Sequence, residues 1–203
     1  MRRNIIIADD FYDNPNEVRQ FALNSSYPTP GNKTYPGKNS EEKYYTEETH
    51  TKLLQLIGRE VIPAEGSACG FFRSSFKNDS FEQDIHIDPG WDWGGVLYLN
   101  LPNQCITDAG TSFYIHKTLK TEKAPLTYEE GYVHGYTNYE EIRQSIICGD
   151  GLDHSKWDQY AYVPMKYNRV VLFRPWLWHS HSKNFGDCLQ NGRLVQLFFL
   201  SNK

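Results

Sequence analysis

The apolar residues of this chain change their period near position 70. Before it, two stretches carry them at helical spacing. Asn14, Pro15 and Glu17 place a capping residue, a proline at the first helical position and an acidic group in the first turn, and Val18, Phe21 and Ala22 follow on one face. This predicts a helix over 15–25. Thr46 as cap, with Leu53, Leu54, Ile57 and Val61 on one face, predicts a second helix in a region that Gly66 ends. Between them, 27–37 is rich in Pro and Gly and is expected to be a loop lying over the body of the protein rather than in its core.

From Gly70 onwards the pattern becomes short runs of Phe, Ile, Val, Leu and Tyr separated by Gly, Pro, Asn and Asp. Strands are predicted at 70–76, 84–88, 96–101, 112–116, 169–173, 178–182 and 193–200. No helices at βαβ spacing interrupt them, so the expected fold is mainly β with flanking helices, an antiparallel jelly roll of the cupin-like, double-stranded β-helix kind. Residues 117–166 break the pattern with a polar, Tyr-rich insertion that can hold a short helix at 139–147 and is expected to help shape the mouth of the barrel. At 203 residues one domain is expected, with 1–66 as an N-terminal helical and loop layer and 70–200 as the jelly-roll core. An aromatic content of 15% agrees, since such side chains suit half-buried sheet faces and clefts.

Charge narrows the partners. A formal net charge of -4 repels phosphate backbones and anionic lipid, which makes nucleic acid an unfavourable partner. The four cysteines, Cys69, Cys105, Cys148 and Cys188, lie far apart without a CxxC pair, which fits a reducing compartment better than a disulfide framework or zinc knuckle. Residues 1–7 hold only three consecutive isoleucines, too few for a signal peptide core or a membrane span. A cytoplasmic protein without a membrane partner is expected, its oligomeric state open.

Candidate chemistry begins in Asp84-Ile85-His86-Ile87-Asp88-Pro89-Gly90, read as a strand entering a turn. Side chains alternate along a strand, so His86 and Asp88 share a face and can bind one metal. Alone the pair is common by chance. Its weight comes from the C-terminal segment, where Arg169 to Phe173 reads as a buried strand, Trp176-Leu177-Trp178-His179-Ser180-His181 follows, and Arg193 opens a last strand. Two histidines and one carboxylate on a facial triangle leave three metal positions open, the arrangement suited to non-haem iron and dioxygen.

In this order of parts the chain resembles the 2-oxoglutarate and iron dependent oxygenase superfamily over residues 70–200. Gly95-Val96-Leu97-Tyr98-Leu99-Asn100 is similar to a strand of its prolyl-hydroxylase-like branch, and Ala109-Gly110-Thr111-Ser112-Phe113 to the Gly-rich entry of the next. The N-terminal part resembles an oxygenase family of unknown substrate. The resemblance implies Fe(II), 2-oxoglutarate and dioxygen as cofactor and co-substrates, with succinate and CO2 as co-products of hydroxylation at an unactivated C–H bond. It implies His86, Asp88 and a distal histidine as metal ligands and catalytic centre. His179 is preferred for the third place because it follows the apolar run, with His181 as the open alternative. Arg193 would pair with the distal carboxylate of 2-oxoglutarate, a task suited to a planar guanidinium. Many members carry Ser or Thr two positions later, where this chain has Val195; Tyr98 matches the tyrosine that serves instead in the prolyl-hydroxylase-like branch. Related halogenases replace the carboxylate at position 88, so Asp88 argues for hydroxylation or a variant such as desaturation.

Other residues are weighed against blander roles. Trp91 and Trp93, in a Gly- and Pro-flanked loop, suit either a substrate-contacting lip or aromatic packing over the barrel end. Arg73, Ser75 and Lys77 share a strand face that could reach a carboxylate-bearing substrate, though a solvated face is preferred. His116 and His134 read as structural singletons, His154 as lacking a partner, and Cys188 as no activated nucleophile. The substrate expected is a small polar molecule, amino acid, peptide or protein side chain. The rival class is a cupin-like hydrolase or isomerase, or a metal-binding module, which would have no use for Arg193 and Tyr98.

Overall fold

The structure is a computed structural model that describes residues 3–29, 35–125 and 127–203. Among these, ten strands and a few helices follow one another as β1 (Ile5–Ala8), α1 (Pro15–Asn24), β2 (Lys38–Lys43), α2 (Glu47–Ile57), β3 (Val61–Pro63), β4 (Phe71–Ser75), β5 (Trp93–Tyr98), β6 (Thr111–His116), α3 (Tyr128–Val133), α4 (Tyr139–Ile142), β7 (Trp157–Val163), β8 (Val170–Phe173), β9 (His179–Ser180) and β10 (Arg193–Asn202). Every recorded strand pair is antiparallel. No helix of the described residues is long and apolar enough to cross a membrane.

Seven strands form a large sheet in the order β1-β8-β5-β10-β4-β2, with β3 beside β10, and β7-β6-β9 form a small one. Period-two alternation gives the large sheet two different faces. Phe72, Trp93, Leu97, Leu172, Leu194 and Phe198 point to one side, where they pack with Val18 and Ala22 of α1 and Leu53 and Ile57 of α2. Val171, Phe173, Val195, Leu197 and Tyr98 point to the other and pack with Phe113 of the small sheet. The helices α1 and α2 thus cover the face away from the small sheet.

Helix boundaries follow local chemistry. Pro15 opens α1 as expected. Thr46 caps α2 by accepting from the Thr49 amide, and Gly58 ends it in the left-handed conformation, φ 77°. Val61, grouped above with this helix, belongs to β3 instead. The segment 27–37 is followed directly by edge strand β2, and its residues 30–34 lie outside the described ones.

The strand expected at 84–88 is a single antiparallel bridge, His86 to His179. The insertion is also shorter than expected, because β7 pairs along β6 and occupies 157–163. Its helical part includes α4 and a π-helical turn over Arg143–Asp150. Ile142, Ile146 and Ile147 of that part are buried against Ile85 and Ile87. These two isoleucines alternate with His86 and Asp88, so the insertion packs behind the histidine-aspartate segment. None of its described residues lines the cavity discussed below.

Candidate functional site

A cavity of about 300 Å³ lies on the small-sheet side of the large sheet, lined by His86, Asp88, His179, His181, Arg73 and Arg193 among others. The bridge between His86 and His179 explains how two of these meet. Each amide donates to the other's carbonyl at 3.0 Å, a hydrogen-bonded antiparallel pair whose side chains must share a face. The rings accordingly lie 4.5 Å apart. Asp88 joins them from the turn, where its amide donates to the Pro175 carbonyl at 2.8 Å and Gly90 takes φ 101°. One ligand atom from each of His86, Asp88 and His179 falls within 4.8 Å of the others.

The donor set suits a cation. His86 Nδ1 faces the Asp84 carbonyl at 2.6 Å and His179 Nδ1 faces the Leu177 carbonyl at 2.8 Å, so both Nδ1 atoms are donors. In the neutral rings this leaves Nε2 with its lone pair, which is the form a metal takes. Burial and the neighbouring His179 push the His86 pKa below its ordinary value, which favours that neutral form. Burial raises the Asp88 carboxyl, but His179, His86 and Arg73 outweigh it and hold it at about 2, so it stays ionised. The Nε2 atoms lie 3.8 and 3.3 Å from the Asp88 oxygens.

Register separates the two candidate histidines. His179 is the partner of His86, whereas His181 falls beyond β9, with Nδ1 3.8 Å from Asp84 Oδ1 and its ring edge-on to Phe81. It lines the cavity without joining the cluster.

Arg193 begins β10 and is 3% exposed. Its Nε donates to the Ala109 carbonyl at 3.5 Å, and its guanidinium carbon lies 5.8 Å from the Tyr98 ring centre. Among the described residues no carboxylate pairs with it. Burial lowers its pKa, with Tyr98 and Tyr162 opposing. Tyr98 itself is fully buried and does not line the cavity. Its hydroxyl, which burial pushes up to about 12, hydrogen-bonds the Thr111 hydroxyl at 2.7 Å, and Thr111 forms the wall. Thr111 was missed in the sequence, although the Ala109-Gly110-Thr111 entry contained the signal. Val195 also lines the wall, paired across the sheet with Tyr98 and with Arg73.

That pairing corrects the reading of Arg73. Opposed residues of paired strands share a face, so Arg73 and Ser75 lie with Val195 and Arg193 on the cavity side, while Lys77, beyond the strand end, is exposed. Trp91 lines the cavity near Phe199. Trp93 does not: it is buried in the helix-side core with the Arg174 guanidinium 4.1 Å from its ring. His154 has a partner after all, Asp84 Oδ2 at 2.7 Å, and His116 contacts Asp150 at 3.0 Å. Cys188 is exposed and lies away from the cavity.

Two solved structures share this fold. A structure of HygX from Streptomyces hygroscopicus with nickel and 2-oxoglutarate bound superposes with a TM-score of 0.55 at 11% identity, over 98% of this chain and 83% of that one. A second, with nickel, 2-oxoglutarate and hygromycin B, gives 0.54 at 10% identity over the same shares. At such identity the likeness is one of fold. No curated protein matches the chain by sequence. A family model does, over residues 1–200, and the chain belongs to that family of unknown function, DUF6445.

Proposed function

We propose that this protein is an Fe(II)- and 2-oxoglutarate-dependent dioxygenase that hydroxylates an unactivated C–H bond of a small polar molecule, amino acid, peptide or protein side chain, releasing succinate and CO2. One observation carries the reading: the His86, Asp88 and His179 cluster shares its cavity with the buried guanidinium of Arg193, which no carboxylate among the described residues neutralises. A metal alone would need the cluster and have no use for Arg193. A hydrolase or isomerase of cupin type would bury that charge without return.

Each residue then has a task. His86 and His179, their Nδ1 protons committed to carbonyls, and ionised Asp88 would hold the metal from three positions and leave three open. Bound there with 2-oxoglutarate, iron supplies the activation of dioxygen. Arg193 would take the distal carboxylate of 2-oxoglutarate through its planar fork, and Thr111, held from behind by Tyr98, would add a hydroxyl. Val96, Phe173 and Leu197 keep water from the wall between them. The two antiparallel sheets are read as the halves of a double-stranded β-helix.

The test is anaerobic titration with ferrous iron and 2-oxoglutarate, following the visible charge-transfer band of the chelate. Wild type should develop the band, and Arg193→Ala should need at least about tenfold more 2-oxoglutarate, the effect of losing a charged hydrogen bond. A wild-type protein that binds iron and shows no band would sink the proposal.

A further inference from the structure

Arg73 is a second guanidinium in the same cavity, and the oxygenase reading leaves it without a task. It sits in the middle of β4, two cross-strand pairs from Ser75–Arg193 and on the same face. Nε donates to Asn39 Oδ1 at 2.8 Å, and the guanidinium carbon lies 3.7 Å from the centre of the Tyr35 ring. Asn39 and Tyr35 are cavity residues as well. Nε and one face are thus engaged, the Tyr35 side chain adds a hydrogen bond, and terminal N–H groups remain for a ligand. Among the described residues no carboxylate pairs with Arg73. Burial lowers its pKa to about 10, with Tyr35 and Asp88 opposing, so it is charged at neutral pH.

Charge bookkeeping then points to a ligand class. The cavity wall carries the guanidiniums of Arg73 and Arg193 and one carboxylate, Asp88, with no lysine. A divalent metal brings the total to three positive charges. The dianion of 2-oxoglutarate removes two, and one remains, on Arg73. An isolated charge in a low-dielectric cavity is costly, so the bound state is completed by one more negative charge.

We propose that Arg73, clamped by Asn39 and Tyr35, is the specificity residue for the substrate, and that the substrate is a small organic monoanion presenting a carboxylate. This rests on the oxygenase reading above and narrows it. A carboxylate fits better than a phosphate monoester, which carries close to two charges at neutral pH and would overshoot the one that remains. The planar guanidinium presents its remaining N–H groups to the oxygens of a carboxylate in charge-assisted hydrogen bonds. Size agrees: a cavity of about 300 Å³ that also holds 2-oxoglutarate leaves space for a molecule of amino-acid dimensions and not for a large anion.

The experiment is calorimetric titration of the full chain loaded with Ni(II) and 2-oxoglutarate, so that the readout is binding and not turnover. The probes are the N-acetyl derivatives of the neutral L-amino acids and C2–C6 monocarboxylates, each beside its uncharged amide, with O-phosphoserine and glycerol 3-phosphate as the phosphate arm. At least one carboxylate should bind, and its amide should bind about ten- to a hundredfold more weakly. Arg73→Gln should lose the same factor for that carboxylate while its Kd for 2-oxoglutarate stays within about threefold of wild type, which also certifies the fold. Arg73→Lys should recover part of the affinity, since it restores the charge without the fork. The inference is overturned if no carboxylate binds, if acid and amide bind alike, if a phosphate monoester binds better, or if Arg73→Gln loses 2-oxoglutarate instead. Failure of wild type to bind 2-oxoglutarate would overturn the oxygenase reading and this inference together, whereas retained 2-oxoglutarate binding without a carboxylate partner overturns this inference alone.

Discussion

Replacing Arg193 by methionine should stabilise the ligand-free protein and at the same time abolish its response to 2-oxoglutarate. The guanidinium is 3% exposed, its hydrogen bond to Ala109 is 3.5 Å long, and no described carboxylate pairs with it. An uncompensated buried ion carries an effective penalty of several kcal/mol, and apolar replacements of similar volume are often stabilising by about 1–4 kcal/mol. We take about 1–3 kcal/mol, because the Tyr98 ring 5.8 Å away and the Ala109 carbonyl repay part of the penalty. For a chain of this size that is a rise in Tm of about 2–10 °C. Ligand acts in the opposite sense. Wild type loaded with Ni(II) should gain about 2.7 kcal/mol from 2-oxoglutarate at a hundred times its Kd, and Arg193→Met should gain nothing. Thermal unfolding followed by circular dichroism, with and without Ni(II) and 2-oxoglutarate, measures both. A ligand-free variant less stable than wild type by more than about 2 kcal/mol would show that the protein itself satisfies the guanidinium, and the reasoning would fail; so would a variant still stabilised by 2-oxoglutarate.

Three further outcomes are expected. His179→Ala should abolish Co(II) binding followed by its visible d–d spectrum, and His181→Ala should keep it within about tenfold, the scale of effects from residues next to a metal shell; the reverse result would move the metal to His181. Ile146→Ala should cost about 2–5 kcal/mol by cavity formation and should also weaken Co(II) binding, because Ile146 packs behind Ile85 and Ile87. Leu53→Ala, equally buried in the helix-side core, should cost as much in urea unfolding and leave metal affinity unchanged. Finally, Asp9 receives Arg169 at 2.6 Å and Lys166 at 2.7 Å, which hold its carboxyl at about 2. Because its folded pKa lies below the unfolded one, its contribution is present above about pH 4 and lost as pH falls towards 2. Asp9 is partly exposed, so Asp9→Asn should cost no more than about 1 kcal/mol at pH 7 in urea titrations, and the difference should vanish near pH 2.

What could be read from the sequence was whatever depends on local period. Both N-terminal helices carried an apolar face, Thr46 caps α2 whereas the Asn14 side chain makes no capping hydrogen bond to α1 and donates to Glu17 instead, and the apolar runs of β4, β5, β6, β8 and β10 stood out against turn residues. Strand β2, Lys38-Asn-Ser-Glu-Glu-Lys, had no such signal, because an edge strand rich in charge is protected from further pairing and need not alternate. Strand β7, Trp157-Asp-Gln-Tyr-Ala-Tyr-Val, was absorbed into the polar insertion for a similar reason, since Asp158, Gln159 and Tyr160 face solvent. Parity could not choose between His179 and His181, which are two apart. Only register does so, by pairing His179 with His86. Arg73 was misjudged on the other side of the same rule: alternation groups it with Ser75, but which face is buried depends on a partner strand more than a hundred residues away.

The large sheet ties stability to the site through that alternation. Along β10, Leu194, Gln196 and Phe198 face the helices while Arg193, Val195 and Leu197 face the cavity. A slip of one residue would exchange the two sets and put the guanidinium against α1 and α2. Gln196, fully buried among apolar neighbours, is the residue that forbids the slip. Its side-chain oxygen accepts from the Tyr12 hydroxyl at 2.9 Å and its amide donates to the Tyr44 carbonyl at 2.5 Å. Moved one place along, that side chain would lose both partners, and a leucine or valine would leave the Tyr44 carbonyl without its donor at a cost of about 1–3 kcal/mol, while the Tyr12 hydroxyl would keep only Thr49. A polar group on the face that has no chemistry thus keeps Arg193 on the face that does, which is why the helical layer belongs to the function as much as the cavity it never touches.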